Sequence, residues 1–258
     1  ILTRAIIQVK AVRWQVEGNI GYIKVNNFSE RVEDGLHRAI AGIQQKLGKD
    51  PAGIVLDLRN NPGGLLSQSV FLSDAFLEKG RIVSVKGRGE RGKRVFDAES
   101  GDIAHGAPMV VLINGGSASA SEIVAAALRD HGRATVMGSR SFGKGSVQTV
   151  TALRVEGALR LTTSLYYAPS GQTIQARGIK PDVAIVPGEE SKRPREADLP
   201  GALAGDHTVG KGTQASIKET ACPEIGDKKD RGLGCALALL NAGSTAHFLA
   251  SLNFDMRM

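Results

Sequence analysis

Met109-Val110-Val111-Leu112-Ile113-Asn114-Gly115-Gly116-Ser117-Ala118-Ser119-Ala120-Ser121-Glu122-Ile123-Val124 is the stretch that decides the fold. Five apolar residues in a row have strand length, and the unbroken run implies a strand buried on both faces. The glycine pair breaks it, small residues fill the turn, and a helix is expected through Ile123, Val124 and Leu128. The same grammar occurs earlier. Gly53-Ile54-Val55-Leu56-Asp57-Leu58 reads as a buried strand, Arg59-Asn60-Asn61-Pro62-Gly63-Gly64 as an emphatic turn, and residues 65–77 as a helix. Two strand–turn–helix units predict a layered α/β core whose site lies in the loops at the carboxyl ends of the strands.

Around these units, residues 6–12 and 20–25 read as strands. A helix after Ser29 places Leu36, Ile40, Ile43 and Leu47 on one stripe. Residues 82–85 and 94–96, and segments after Ala134, notably 159–167, read as further strands. Beyond Pro187 the composition shifts to Glu, Lys, Pro and Gly, so residues 189–220 read as a linker and 233–240 as a short helix.

Composition sets limits on function. The chain has 258 residues, 41% hydrophobic and only 4% aromatic, which predicts a globular core of Ile, Val, Leu and Ala. The net charge of +7 is spread along the body without interleaved aromatics, which argues against nucleic acid as a partner. No apolar run approaches membrane-spanning length, and no signal peptide opens the sequence. Cys222 and Cys235 would close a disulfide loop worth about 3 kcal/mol in an oxidising compartment, or be two unrelated thiols in a reducing one. Neither has a histidine at ligand spacing, so no metal site is expected.

Several motifs match in letters and fail in context. Gly87-Arg88-Gly89-Glu90-Arg91-Gly92 fits a dinucleotide fingerprint, but a strand rather than a helix follows, so a charged hairpin turn is the better reading. Residues 138–144 approach a phosphate-binding loop but place Gly145 where a hydroxyl is needed. Ser141-Phe142-Gly143-Lys144 fits Ser-x-x-Lys without the later Lys-Thr-Gly of penicillin-recognising enzymes. The serine turn remains. A serine before a helix is more often a cap than a nucleophile. Here, however, it leaves a buried strand, small neighbours admit a peptide, and the helix end near Ser119 aims free amides at a developing oxyanion.

Asp57 to Gly64, Gly116 to Ile123, Ser141-Phe142-Gly143-Lys144-Gly145-Ser146-Val147-Gln148, Leu159-Arg160-Leu161-Thr162-Thr163 and Gly178-Ile179-Lys180-Pro181-Asp182 together resemble the signatures of the carboxyl-terminal processing, or tail-specific, serine proteases. The resemblance covers most of residues 1–188 and implies a crotonase/Clp-protease-like layered α/β (α+β) core with an additional β-rich subdomain. By position in those motifs it implies Ser119 as nucleophile, Lys144 as general base and Gln148 as third member. It also implies an oxyanion hole from the backbone amides of Ala120 and of Gly64 or Gly63. It implies no cofactor, protein or peptide substrates bound as extended C-terminal tails, an adaptor or activator protein, self-association, and export to the periplasm.

The family also carries a PDZ domain ahead of its core. Residues 1–14 resemble the last PDZ strand, so the expected organisation is residual strand 1–14, catalytic core 15–188, and linker and tail 189–258. Lysine, with a reference pKa near 10.4, would have to be desolvated toward roughly 7–8 to act as a base. His131 falls at the far end of the Ser119 helix, which disfavours a Ser-His-Asp triad. Two rivals are a crotonase-like acyl-CoA enzyme, which needs no lysine, and a non-catalytic binding module of the same fold.

Overall fold

A computed structural model describes residues 10–87, 93–99, 101–154, 156–186, 193–205 and 215–255. The two apolar runs are neighbouring parallel strands, β3 (Gly53–Asp57) and β6 (Met109–Ile113), every residue of which is buried. They lie in a seven-stranded sheet of order β1-β2-β3-β6-β7-β10-β11. The other members are β1 (Val12–Glu17), β2 (Ile20–Val25), β7 (Thr135–Gly138), β10 (Val183–Val186) and β11 (Ala215–Lys218). Only β1 runs antiparallel to its neighbour; the remaining pairings are parallel.

Successive strand residues point to opposite faces, and both faces are covered. Ile54, Leu56, Val111 and Ile113 pack into the larger core with α1 (Val32–Leu47), α2 (Leu66–Asp74) and α3 (Ala120–Asp130). Helix α1 buries the predicted stripe, with Leu36, Ile40 and Ile43 inward, and ends at Gly48, whose φ of 82° stops the helix. Val55, Val110 and Leu112 face a second core built with α4 (Arg231–Ala242) and α5 (Thr245–Asp255). A four-stranded antiparallel sheet, order β5-β4-β9-β8, forms the β-rich part from β4 (Gly80–Gly87), β5 (Arg94–Ala98), β8 (Ser146–Ala152) and β9 (Ala158–Tyr167).

The tail differs from its reading as linker and short helix. Ala215–Lys218 is strand β11, paired with β10 from Val183↔Ala215 to Val186↔Lys218. Helix α4 runs past the expected 233–240 at both ends: Asp230 caps its start, accepting a hydrogen bond from Leu233 N at 2.8 Å, and the left-handed Gly243 ends it. Cys222 and Cys235 form a disulfide that ties the loop before α4 to the helix itself. The short four-residue edge strand alternates half-buried and exposed positions and carries too little apolar signal to stand out in a polar segment.

Of the strand expected over 6–12, only its end is described: β1 starts at Val12, and residues 1–9 lie outside the described residues. The same holds for the charged turn at 88–92 between β4 and β5. Among the described residues no single helix is long and apolar enough to cross a membrane.

Because the tail covers one face of the central sheet, its core residues carry global stability. Phe248→Ala removes a ring with 0% exposure from the second core and is expected to cost about 3–5 kcal/mol. Urea unfolding followed by circular dichroism checks this, and an unchanged midpoint would mark the tail as an appendage.

Candidate active site

The β3–β6 pairing, with Asp57 opposite Leu112, brings the turns that leave these strands side by side. Buried side chains then stitch the turns together. Ser117 Oγ donates to Leu58 O at 2.8 Å, Ser121 Oγ donates to Asn61 O at 2.9 Å, and Ala118 N donates to the same carbonyl at 3.0 Å. Asn114 Oδ1 accepts from Asn60 N at 2.9 Å. These bonds satisfy turn backbone that would otherwise be buried without partners.

Ser119 sits at the N-cap of α3 with φ 55° and ψ −112°, a left-handed setting that is unfavourable for a residue with a Cβ. Its backbone amide is held by the N3 residue of the helix, Glu122, in the carboxylate half of a capping box. Ser119 is half-buried. Among the described residues, the amides of Ala120 and Gly64 donate no hydrogen bond. The Gly63 amide is already taken by Asn61 Oδ1 at 2.9 Å.

The two turns are in contact here. A Cβ on Gly63 would lie 2.9 Å from Ser119 Cβ and 3.0 Å from Ala120 N, and one on Gly64 would lie 2.2 Å from Phe28 O. Both glycines have positive φ, 102° and 145°, so side chains are excluded by conformation as well as by space.

Glu122 joins the serine turn to the lysine loop. Its Oε2 accepts from Ser119 N at 2.7 Å and from Lys144 N at 2.9 Å. The two backbone nitrogens therefore lie no farther apart than these two bonds laid end to end. Its Oε1 accepts from Ser141 Oγ at 2.5 Å and from Gly143 N at 2.7 Å. Burial pushes the Glu122 carboxyl up to about 7, against the pull of the hydrogen bonds from Ser141, Ser119, Gly143 and Lys144. From the other side, Gln175 Oε1 holds Gly145 N at 3.0 Å, and Ser141 Oγ accepts from Ile179 N at 2.6 Å. The lysine loop is thus fixed at both flanks.

The half-buried Lys144 donates from Nζ to Ser146 Oγ at 3.3 Å. Ser119, Ala120, Gly63, Gly64 and Lys144 are gathered in one place. Gln148 is exposed on β8, opposite Thr162, just past a bulge between Val147 and Gln148. Among the described residues no hydrogen bond joins it to Lys144. His131 stands at the other end of α3, its Nε2 2.6 Å from Arg81 O.

Glu122, Ser146, Asn61 and Gln175 were not picked out by sequence, and Ser141 only as the serine of the Ser-x-x-Lys match. Glu122 could have been found, since Ser119-Ala120-Ser121-Glu122 fits the Ser-x-x-Glu capping box, and Glu122 makes its half of that exchange. The others become visible only once the loops meet.

The model of peptidase family S41 matches residues 19–185. A carboxy-terminal-processing protease of Bartonella bacilliformis is 56% identical over 185 residues, which is 71% of this chain and 43% of that protein. A CtpA-like serine protease of Staphylococcus haemolyticus is 37% identical over 186 residues, 71% of this chain and 37% of that protein. The solved photosystem II D1 C-terminal processing protease superposes with a TM-score of 0.62 at 31% identity, covering 70% of this chain and 50% of that one. The chain spans less than half the length of these curated relatives. With its mixed parallel sheet, its strand-rich subdomain and a family match over most of its length, the chain belongs to peptidase family S41.

Proposed function

We propose that this chain carries the catalytic core of a serine endopeptidase that cleaves proteins near their C-termini, with Ser119 as nucleophile and Lys144 as general base. One observation carries the reading: a single buried carboxylate, Glu122, bonds the backbone of both residues while two unpaired amides, Ala120 and Gly64, flank the serine. In this scheme Ser119 Oγ attacks the scissile carbonyl carbon and its proton passes to Lys144 Nζ. The negative oxygen is met by the Ala120 and Gly64 amides. Collapse breaks the C–N bond, Lys144 returns the proton to the leaving amine, and water then hydrolyses the acyl-enzyme. Gly63, whose amide is occupied, shapes the hole rather than donating to it.

Ser146 orients the amine in this arrangement. Gln148 acts as third member only when the end of β8 shifts to bring its amide to Lys144. Strand β8 is an edge of its sheet and starts two residues after Lys144, which suits an extended peptide adding as a further strand. An open depression lined by Phe28, Ser29, Arg31, Gly64 and Leu65 lies beside the turn and suits a small apolar side chain of such a tail. The disulfide fits an exported, oxidising location such as the periplasm.

Ser119→Ala should abolish turnover of a C-terminal peptide substrate and labelling by a fluorophosphonate probe. Lys144→Ala should lower kcat by about 10²–10⁴ with unchanged circular dichroism. Retained turnover in folded Lys144→Ala would sink the mechanism. Labelling or turnover that survives Ser119→Ala would point instead to a crotonase-like enzyme.

Glu122 gives a pH signature. Its folded pKa of about 7 lies above its ordinary 4.5, so the folded chain holds this proton more tightly than the unfolded one. Its contribution to stability is therefore full below 4.5 and is lost as pH rises to about 7. Denaturant unfolding across that window should show wild type losing stability relative to Glu122→Gln. Parallel profiles would exclude Glu122 as the titrating group.

A further inference from the structure

The turn that carries the Gly64 amide begins at Arg59, and Arg59 is gripped from two directions. On one side Asp57 accepts from Arg59 Nε at 3.0 Å and from Nη2 at 2.7 Å. On the other, Asp230 accepts from Nη1 at 2.8 Å and from Nη2 at 2.7 Å. Asp230 lies 171 positions away in the tail, beyond the segment that matches the family. Paired two-point contacts of this kind fix the orientation of the guanidinium plane as well as its charge.

The charges around Arg59 come from every element that faces it. Asp57, fully buried, also binds Lys24 Nζ at 3.0 Å and accepts from the Tyr22 hydroxyl at 2.7 Å. Lys24, Arg59, Asp57 and Asp230 balance to zero, so loss of the Asp230 charge leaves one uncompensated cation in a mostly desolvated cluster. Burial alone would raise the Asp230 carboxyl, but the Arg59 hydrogen bonds hold it below the ordinary carboxylate range. The fit is also steric: a Cβ on Gly232 would lie 2.7 Å from Arg59 Nη1.

The grip reaches the backbone of the turn. Arg59 N donates to Asp57 Oδ1 at 2.9 Å, and Lys24 Nζ reaches Arg59 O at 3.4 Å. The next residue, Asn60, holds a left-handed φ of 59°. Asp230 in turn is held by its own loop. Its N donates to Ile225 O at 3.0 Å, Arg231 Nη1 donates to Cys222 O at 2.8 Å, and the Cys222–Cys235 bond closes the segment covalently.

We propose that Asp230 is a positioning residue for proteolysis: through Arg59 it sets the turn that presents the Gly64 amide, and the Cys222–Cys235 disulfide keeps it there. The inference rests on the reading of Ser119 and Gly64 given under Proposed function. It makes the peptidase dependent on a part of the chain outside the family-matched segment, and sensitive to thiol reductants.

Asp230→Asn tests it, because asparagine caps a helix as well as aspartate does while the charge is lost. The expected result is a fall in kcat of about tenfold, less than deletion of an oxyanion donor because the amide is displaced rather than removed. KM should stay within about twofold, and fluorophosphonate labelling should slow in step with kcat. Dithiothreitol, which is oxidised to its cyclic disulfide as the bond becomes two thiols, should give wild type the same loss, reversed on reoxidation. A purely structural role would lower the melting temperature without changing kcat in the folded protein, and that result overturns the proposal. So does full kcat in the reduced enzyme. If Asp230→Asn does not fold, Gly232→Ala, which crowds Arg59 without changing charge, is read the same way, and unchanged kcat there overturns it. Absence of turnover and labelling in wild type, matching Ser119→Ala, would instead count against the protease reading itself.

Discussion

A carboxylate with no solvent exposure, Glu122, is the constraint on which the site depends. Isolated burial of such a charge is prohibitive, and here four donors share its two oxygens, about as many as a carboxylate can accept. Those donors come from the serine turn and from the lysine loop, segments separated by some twenty residues. Satisfying one charge therefore forces both segments into a single arrangement. A shorter aspartate would not span the same four donors. The requirement is geometric before it is catalytic.

The same constraint explains how Ser119 holds an unfavourable backbone setting. Strained residues persist where their surroundings over-determine them. Ser119 N is fixed by Glu122, Ala118 N by Asn61 O, and Ser117 and Ser121 by hydroxyl bonds to Leu58 and Asn61. The helix that follows begins with amides that have no intrahelical partner. With the serine backbone turned this way, the first of them, at Ala120, stays unpaired beside the Ser119 side chain. On the other turn Asn61 uses its oxygen on Gly63 N and its NH2 group on Val25 O, which leaves Gly64 as the second free donor.

Much of this was legible in sequence because the informative pieces are local. A run of five apolar residues, a glycine turn and a helix stripe are each decided within a dozen residues, and they give β3, β6, α1 and α3. The choice between Gly63 and Gly64 was not legible, since it depends on which way the Asn61 side chain folds back. That no hydrogen bond joins Gln148 to Lys144 among the described residues was not legible either. Spacing of four along a strand gives no fixed direction once a bulge intervenes between Val147 and Gln148. The tail was misread for a different reason. Its contribution is long-range, and its composition is that of a linker up to the point where β11 pairs.

Even so, the apolar runs contained a demand that the first 188 residues leave unmet. Strands such as β3 and β6, buried at every position, must be covered on both faces, and α1, α2 and α3 all lie on one. Val55, Val110, Leu112, Met137 and Val183 form the other, and α4 and α5 cover it. Leaving that face in water would cost roughly 25 cal/mol for each Å² of apolar surface exposed. Asp230, which caps α4 in the loop that the cysteine pair closes, is the residue that also reaches Arg59 beneath the site. In this chain the element that completes the core therefore ends against the turn that would stabilise the oxyanion. Covering the sheet and fixing that turn are two consequences of one packing event.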